Sequence, residues 1–277
     1  MKAAPRRWTP LQLLRVAREA ARAGGAILGR RFGRSQAYDR KGAIDLVTAT
    51  DLASEAAILK VLRRCAPEHA ILAEESGLHP SGAAKESAYR WIIDPLDGTT
   101  NFAHGYPFVC TSVGVSHKGR MVAGVVYDPV REELFAAARG QRATLNGRPI
   151  HVSAVRRLQE SLLVTGFPYD VFMRSRRVVR EFEAFLPKAQ GVRRDGSAAL
   201  NLCYLACGRF DGFWELKLHP WDVAAGSLIL EMAGGRISDY SGKAYDLSGE
   251  ETLASNGLLH AAMRRVLAGT MGKLKKN

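Results

Sequence analysis

The order of apolar and polar side chains divides the chain into alternating helices and strands. Small and apolar residues recur at helical spacing over residues 11–32, with arginines largely off that stripe, so we expect a first helix there. Further apolar segments predict helices over residues 54–65, 178–185, 197–208 and 220–233. Short apolar runs predict strands ending at Thr50-Asp51 and over 70–73, 90–93, 133–138 and 210–216, with a hairpin of 108–117 and 121–128 around Lys118-Gly119. Regular βαβ units are absent from residues 108–152, which favours a mixed α+β fold.

One stretch, from Trp91 to Phe102, stands out because an apolar run ends abruptly in two aspartates, Asp94 and Asp97. Pro95 lacks a backbone donor, so we expect it to end the strand in a turn. Gly-Thr-Thr-Asn follows, which predicts a helix beginning near Gly98 and capped by Asp97, Thr99 or Thr100. Two carboxylates suited to a hard cation would then lie beside free amides suited to a phosphate.

Several other acidic residues also follow apolar segments. They are Asp51, the pair Glu74-Glu75, Asp222 and, within Gly-Phe-Trp-Glu, Glu215. Because strand ends meet at one edge of a sheet, we expect these carboxylates to converge. Two carboxylates about 4 Å apart repel by about 4 kcal/mol at an effective dielectric near 20, so such a group needs a cation. Oxygen ligands without nearby His or Cys point to Mg²⁺.

The string Asp-Pro-Leu-Asp-Gly-Thr-Thr-Asn-Phe at residues 94–102 resembles the signature of the inositol monophosphatase family. Trp-Asp-Val-Ala-Ala-Gly at residues 221–226 is similar to the second signature of that family, and the resemblance covers roughly residues 10–262. It implies one domain over residues 1–277 with layered αβαβα packing. The implied parts are an N-terminal α+β half over about 10–150, a C-terminal α/β half over about 151–262, and a basic tail over 263–277.

The resemblance also implies a role for each matching residue. Glu74, Asp94 and the carbonyl of Leu96 match ligands of a first Mg²⁺, and Asp94, Asp97 and Asp222 match ligands of a second, with a weaker third ion near Glu74. Asp51 and Thr99 match the pair that orients the attacking water, Glu75 supports them from behind, and Lys41 matches a lysine of a mobile loop. Substrate contacts match Asp97, Gly98, Thr99, Gly196, Ser197, Ala198, Glu215 and Asp222.

The activity implied is Mg²⁺-dependent, lithium-sensitive hydrolysis of myo-inositol monophosphate, a phosphate monoester. Related phosphatases that act on histidinol phosphate, fructose 1,6-bisphosphate or adenosine bisphosphate share the same metal machinery, since the alcohol pocket sets specificity. A third alternative is a basic protein that binds RNA or a transcription complex on the same fold. A homodimer is expected with any of these activities.

Composition and charge narrow the setting in which the protein works. Hydrophobic residues make up 47% and charged residues 24%, as in soluble globular proteins. No apolar stretch approaches the roughly 20 residues needed to cross a bilayer, so we expect no membrane association. Four dispersed cysteines predict free thiols in a reducing cytoplasm. The net charge of +13 lies mainly in residues 1–42, 174–194 and the last 14, and predicts either attraction of anionic partners or a solvated basic face. Residues 273–277 are expected to be disordered.

Overall fold

The computed structural model describes residues 8–34, 38–40, 46–81, 87–168 and 170–274. Lys41, the predicted loop lysine, lies outside the described residues. The helices are α1 (Pro10–Arg31), α2 (Ala49–Cys65), α3 (Thr99–Ala103), α4 (Val171–Phe185), α5 (Ala198–Ala206), α6 (Pro220–Met232) and α7 (His260–Leu274), with a 3-10 turn at Leu158–Glu160. The strands are β1 (Tyr38–Arg40), β2 (Leu46–Thr48), β3 (Ala70–Ala73), β4 (Gly77–His79), β5 (Tyr89–Asp97), β6 (Cys110–His117), β7 (Arg120–Asp128), β8 (Glu133–Ala138), β9 (Thr144–Leu145), β10 (Arg148–Pro149), β11 (Leu162–Thr165), β12 (Gly191–Arg193), β13 (Gly212–Leu216), β14 (Arg236–Ser238) and β15 (Glu251–Ser255).

Two large sheets organise these elements. The first has eight strands in the order β10-β9-β8-β7-β6-β5-β3-β4 and is mostly antiparallel, with β3 and β5 parallel. The second has five strands in the order β12-β11-β13-β15-β14 and is mixed, with β11 parallel to β12 and β13. β1 and β2 form a separate antiparallel ribbon.

The helices alternate with the sheets in layers. Helices α1 and α2 cover one face of the eight-stranded sheet, where Leu13 and Ile58 join Trp91, Ile93 and Val113 in one buried cluster. Helices α5 and α6 lie between the two sheets in a second cluster. Helices α4 and α7 cover the outer face of the five-stranded sheet in a third. The predicted α+β class with αβαβα layering is confirmed.

Helix α6 lies very close to the eight-stranded sheet because β6 and β7 each have a glycine beneath it. A Cβ added to Gly124 would lie 2.9 Å from the Cα of Ala225, and one added to Gly114 would lie 3.2 Å from the Ala225 nitrogen. Side chains at these positions would push α6 away from the sheet. The glycines therefore fix the height of the helix that carries Asp222.

Most predicted elements are present, including the hairpin of β6 and β7 and the helices α1, α5 and α6, but two boundaries near the site differ. Helix α2 begins at Ala49, and Thr50-Asp51 lie in its first turn instead of ending a strand. Thr48 and Asp51 form a capping box, in which the Thr48 hydroxyl accepts from the Asp51 N–H and the Asp51 carboxylate accepts from the Thr48 N–H. Because this Thr-x-x-Asp cap starts the helix at Ala49, the preceding strand β2 ends at Thr48.

The strand β5 continues through Pro95, so the expected turn at this proline is wrong. Pairing of β5 with β6 is in register at Asp94 and again at Asp97, with an irregularity between them. On the other side, β3 pairs only as far as Ile93. Pro95 therefore sits at a bulge where its missing N–H breaks no ladder hydrogen bond.

Sequence patterns missed most of the second sheet, namely β11, β12, β14 and β15, and also β4 and helix α7. Helix α7 runs to Leu274, so the disorder predicted for residues 273 and 274 is wrong, and residues 275–277 are outside the described part. The chain passes from the first sheet to the second between Pro149 and Leu162. A division into halves near residue 150 stays a prediction.

None of the helices in the described ranges combines the length and apolar character needed to cross a membrane.

Candidate metal and phosphate site

Parallel pairing of β3 with β5 brings two of the predicted ligands together. The ladder ends at Ala73 and Ile93, and the Glu74 N–H then donates to the Ile93 carbonyl at 3.2 Å. Glu74 and Asp94 thus follow adjacent strand ends, and their carboxyl groups are within hydrogen-bonding reach of each other. Asp94 also accepts from the Leu96 N–H at 2.9 Å, which folds the bulge around its carboxylate.

Asp97 caps a helix, but not the one predicted. Its Oδ2 accepts from the Ser197 hydroxyl and from the Ala199 N–H, both at 2.7 Å, so it closes the start of α5. Helix α3 instead begins at Gly98 with no side-chain cap. Gly98 has φ of 98°, and a Cβ there would lie 2.9 Å from the Phe108 carbonyl, so the tight turn requires glycine. The hydrogen bonds that Asp97 accepts from Ser197 and Ala199 join β5 of the first sheet to the start of α5.

Asp222 reaches the same place from the first turn of α6. Its Oδ2 accepts from the His219 N–H at 2.7 Å, and His219 stacks on Trp221 with ring centroids 4.9 Å apart. The Ser112 hydroxyl of β6 donates to the Trp221 carbonyl at 3.3 Å. The start of α6 is thereby held against β6, beside the strand that carries Asp94.

The acidic groups act on one another electrostatically. Burial raises the pKa of Asp94 well above its usual range, and the charges of Glu74, Asp97 and Asp222 raise it further. Burial likewise raises the pKa of Asp222, with contributions from Asp97 and Glu74. Burial raises the pKa of Asp97 to about 6, against the opposing hydrogen bonds from the start of α5. Four carboxyl groups, one after β3, two in β5 and one at the start of α6, therefore act on one another around the buried Asp94.

This donor set is chemically suited to Mg²⁺. In the described part of the chain, no group of three or more His, Cys, Asp or Glu side chains is placed to hold a metal ion as the side chains stand. Burial and the charges of the neighbouring carboxyl groups nevertheless raise the pKa of both Asp94 and Asp222, so a positive charge beside them would stabilise their ionised forms. A dication would supply that charge, and hard oxygen donors without His or Cys match the preference of Mg²⁺. Glu74, Asp94, Asp97, Asp222 and the carbonyl of Leu96 are the groups available to hold it.

Asp51 and Thr99 form a buried pair next to this cluster. The Thr99 hydroxyl lies 3.1 Å from Asp51 Oδ1 and also 3.1 Å from the Leu96 carbonyl. Having one proton, it can donate to only one of these acceptors at a time and keeps lone pairs for a further donor. Burial raises the pKa of Asp51, while its hydrogen bonds with Thr48 and Thr99 oppose that rise. The pair thus places a hydroxyl group with free lone pairs beside the carboxylate cluster.

A cleft with a volume of about 100 Å³ opens beside the carboxylates. The predicted substrate residues that line it are Asp97, Gly98, Thr99, Gly196, Ser197, Ala198, Glu215 and Asp222. Burial raises the pKa of Glu215 to about 8, although the charge of Arg194 opposes the rise. A Cβ at Gly166 would lie 2.1 Å from Glu215 Oε1, so this glycine leaves room for the buried carboxyl group. The cleft has an acidic wall, with Arg194 and Lys217 also among its lining residues.

Sequence reasoning missed two residues that support the site from α2. The Ser54 hydroxyl donates to the Pro95 carbonyl at 2.7 Å, and Glu55 Oε2 accepts from the Glu75 N–H at 2.9 Å. Together with Asp51 they occupy positions i, i+3 and i+4, which share one helix face. Polar residues at helical spacing from Asp51 are therefore the sequence feature that could have identified them. The predicted supporting residue Glu75 takes part through its backbone N–H.

Comparison with known proteins gives consistent matches along almost the whole chain. The sequence profile of the inositol monophosphatase family matches residues 10–275. The inositol-1-monophosphatase of Synechocystis sp. is 48% identical over 258 residues, which cover 93% of this chain and 89% of that protein. The Nus factor SuhB of Pseudomonas aeruginosa is 42% identical over 248 residues, covering 88% and 91%. The solved structure of inositol monophosphatase from Anabaena (Nostoc) sp. superposes with a TM-score of 0.83 at 45% identity, covering 94% and 97%.

Proposed function

Because the chain belongs to the inositol monophosphatase family, we propose that it is a Mg²⁺-dependent phosphatase that hydrolyses myo-inositol monophosphate to inositol and phosphate. The observation that carries the proposal is the convergence of Glu74, Asp97 and Asp222 on the buried Asp94, whose pKa is raised by burial and further by the charges of the other three. A group of this kind is stable in its ionised form only with bound cations. The name of the Synechocystis relative supports the choice of substrate.

Glu74, Asp94, Asp97, Asp222 and the Leu96 carbonyl would hold the ions. When bound, Mg²⁺ supplies a more acidic water and stabilises the charge that develops on the leaving oxygen. The protein itself contributes an acceptor for the water proton, since the Thr99 hydroxyl can accept it while donating to Asp51 Oδ1 3.1 Å away. Backbone amides of Gly98 and Thr99 at the start of α3 line the cleft where phosphate oxygens would lie.

The part of the cleft lined by Asp97, Ser197 and Glu215 would bind the alcohol. Glu215 and Asp97 offer acceptors for hydroxyl groups, and Ser197 and Gly196 shape the adjoining surface. A polyol fits such a wall because its hydroxyl groups can donate to the carboxyl oxygens of Glu215 and Asp97. These contacts support myo-inositol monophosphate over an ester with an apolar alcohol.

A panel of phosphate esters assayed with Mg²⁺ tests the substrate. We expect the largest kcat/KM for myo-inositol monophosphate, with slower hydrolysis of histidinol phosphate, fructose 1,6-bisphosphate and adenosine bisphosphate. Lithium should inhibit the reaction. A larger kcat/KM for one of the other three esters would replace the proposed substrate while retaining the phosphatase chemistry.

The exchange Asp94→Asn tests the metal role. It should lower turnover by more than the roughly 100-fold typical of losing an outer partner of a metal ligand, and raise the melting temperature of the metal-free protein by relieving repulsion. Phosphate release and differential scanning calorimetry measure the two effects. Glu183→Gln, an exposed acid on α4, is the control and should change neither. Unimpaired turnover in the Asp94 variant would remove this residue from the metal site.

A second function, binding of RNA or a transcription complex, is favoured by the net charge of +13 and by similarity to a protein named Nus factor. Such binding would be electrostatic and independent of the phosphatase site. RNA retention should weaken steeply with added salt and persist in the Asp94→Asn variant. Retention that is lost in this variant, or that is insensitive to salt, would count against it.

We also infer that the protein is a cytoplasmic homodimer. All four cysteines are free thiols, which supports a reducing compartment. Exposed apolar side chains on and after α4, including Met173 at 76% exposure and Leu186 at 52%, support an interface between copies. Sedimentation equilibrium should give twice the mass of one chain.

A further inference from the structure

One face of α2 touches three separate segments of the candidate site. Asp51 accepts from Thr99 at the start of α3, Ser54 donates to the Pro95 carbonyl in the β5 bulge, and Glu55 accepts from the Glu75 N–H after β3. These contacts come from consecutive positions on one helix face. Helix α2 therefore fixes the relative placement of segments that are 20 or more residues away in sequence.

Glu55 is an unusual residue for its position. It is only 4% exposed, on a helix face that otherwise buries Ile58 and Leu62 against the sheet. Burying a carboxylate costs several kcal/mol unless hydrogen bonds compensate, and an apolar residue of similar size would pack there at lower cost. The hydrogen bond that it accepts from the Glu75 N–H requires an acceptor oxygen at this position, which an apolar residue could not provide.

That bond fixes the backbone directly after Glu74. The Glu74 N–H is held by the Ile93 carbonyl at 3.2 Å, and the next N–H, that of Glu75, is held by Glu55 at 2.9 Å. Two successive peptide groups are thus oriented, one by the neighbouring strand and one by α2. The direction of the Glu74 side chain toward Asp94 depends on both.

We propose that Glu55 is a positioning residue that holds the Glu74 carboxylate in place for the metal by accepting the Glu75 N–H. The proposal rests on the proposed function, since it takes Glu74 as a ligand. The role belongs to the acceptor atom at its present distance and not to the charge of Glu55.

Three substitutions separate acceptor geometry from charge. Glu55→Gln keeps an acceptor oxygen at the same reach and removes the charge, whereas Glu55→Asp keeps the charge and withdraws the acceptor by about 1.5 Å. Glu55→Ala removes both, and Glu183→Ala on the exposed face of α4 is the control. Mg²⁺ affinity is measured by isothermal titration calorimetry, and exchange of the Glu75 amide is followed in the metal-free protein.

Mg²⁺ affinity should be close to wild type in Glu55→Gln and Glu183→Ala, and about tenfold weaker or more in Glu55→Asp and Glu55→Ala. Saturating Mg²⁺ should restore most of kcat in the weakened variants, which a general loss of structure would not allow. The Glu75 amide should exchange faster in Glu55→Asp than in wild type.

Wild-type affinity in Glu55→Asp with weak binding in Glu55→Gln would assign the role to charge and overturn the proposal. Wild-type affinity in all variants would overturn it equally. A wild-type protein that binds no Mg²⁺ and hydrolyses no ester would instead refute the proposed function. The amide exchange of Glu75 would then still decide whether Glu55 holds this backbone.

Discussion

At the scale of single residues, the Asp97 carboxylate is shared between the candidate site and the start of α5. Ser197 and Ala199 both donate to its Oδ2, while burial raises its pKa to about 6. The Ser197 hydroxyl also accepts from the Leu200 N–H at 3.3 Å and so caps the helix. One hydroxyl thus stabilises a helix and orients a predicted ligand.

Ser197→Ala should therefore affect both stability and substrate binding. Loss of the cap should lower the free energy of unfolding by about 1 kcal/mol, and loss of the donor to Asp97 should raise KM. Ser197→Thr keeps the hydroxyl and should retain both properties. Urea denaturation and steady-state kinetics measure the effects, and an alanine variant with unchanged stability would contradict the capping role.

His260 gives the protein a predictable response to acid. It is 1% exposed, with Nε2 2.8 Å from the Ser238 hydroxyl and Nδ1 3.0 Å from that of Ser255. Burial, with smaller contributions from Arg236 and Arg264, lowers its pKa to about 4. The folded protein therefore keeps this imidazole neutral between pH 6.5 and 4, where an unfolded chain would protonate it.

Because the unfolded state binds the extra proton, stability should fall as the pH drops from about 6.5 toward 4, by up to about 3 kcal/mol from this residue. Urea denaturation at a series of pH values measures the slope. The difference in slope between wild type and His260→Gln isolates the histidine from the carboxyl groups that also titrate. Identical slopes in the two proteins would show that His260 is not the source.

At the scale of elements, two hairpins use the same kind of turn with different residues. Lys118-Gly119 joins β6 to β7 with φ values of 49° and 79°, and Asn146-Gly147 joins β9 to β10 with 50° and 81°. Positive φ at both central residues defines a type I′ turn, for which Asn-Gly is the preferred pair. The lysine pays the steric penalty of the left-handed conformation, which asparagine tolerates better.

Lys118→Asn should accordingly raise the free energy of unfolding by about 1 kcal/mol. Lys118→Ala, which has no such tolerance, should leave it near wild type. The reverse change, Asn146→Lys, should be destabilising, also because Asn146 accepts from the Leu134 N–H at 2.8 Å. Thermal unfolding of the three variants gives the ranking, and equal melting temperatures for the Lys118 variants would contradict the explanation.

Elements close to the signature were predictable from sequence because their patterns are local. An apolar run followed by Gly-Thr-Thr-Asn marks a strand and then a helix, and the structure has β5 and α3 there, although β5 continues through Pro95 to Asp97. Ser54 and Glu55 stand at helical spacing from Asp51, but that spacing does not show which loops α2 contacts, and their role depends on those contacts. β12 and β14 have three residues each, too few to show alternation. The start of α2 was misplaced because Leu46–Thr48 is a real strand that runs directly into a helix cap.

At the scale of the whole molecule, α6 packs between the two sheets and carries Asp222 in its first turn. Its backbone at Ala225 comes close to the eight-stranded sheet at Gly114 and Gly124, where an added Cβ would lie 3.2 Å from the Ala225 nitrogen and 2.9 Å from its Cα. Its other face meets α5 and β14 in the buried cluster between the sheets. Any displacement of α6 therefore changes both the packing of the layers and the position of a predicted ligand.

Gly124→Ala should displace α6, because the new Cβ would lie 2.9 Å from the Ala225 Cα. We expect a loss of about 1–3 kcal/mol in stability from overpacking, together with weaker Mg²⁺ binding. Gly269→Ala, in an exposed turn of α7 with open space around the added carbon, is the control and should be neutral or stabilising. Calorimetric unfolding and Mg²⁺ titration measure both. Lost stability with unchanged Mg²⁺ affinity would show that α6 yields without moving Asp222.

The stripe of Asp51, Ser54 and Glu55 on α2 limits how this chain can change length over evolution. A helix turns by about 100° per residue, so inserting or deleting one residue between Asp51 and Glu55 would swing part of the stripe a quarter-turn or more out of line. One anchored segment would then lose its partner while the others kept theirs. Descendants of this sequence can exchange many side chains in the first turns of α2, but the number of residues there is fixed.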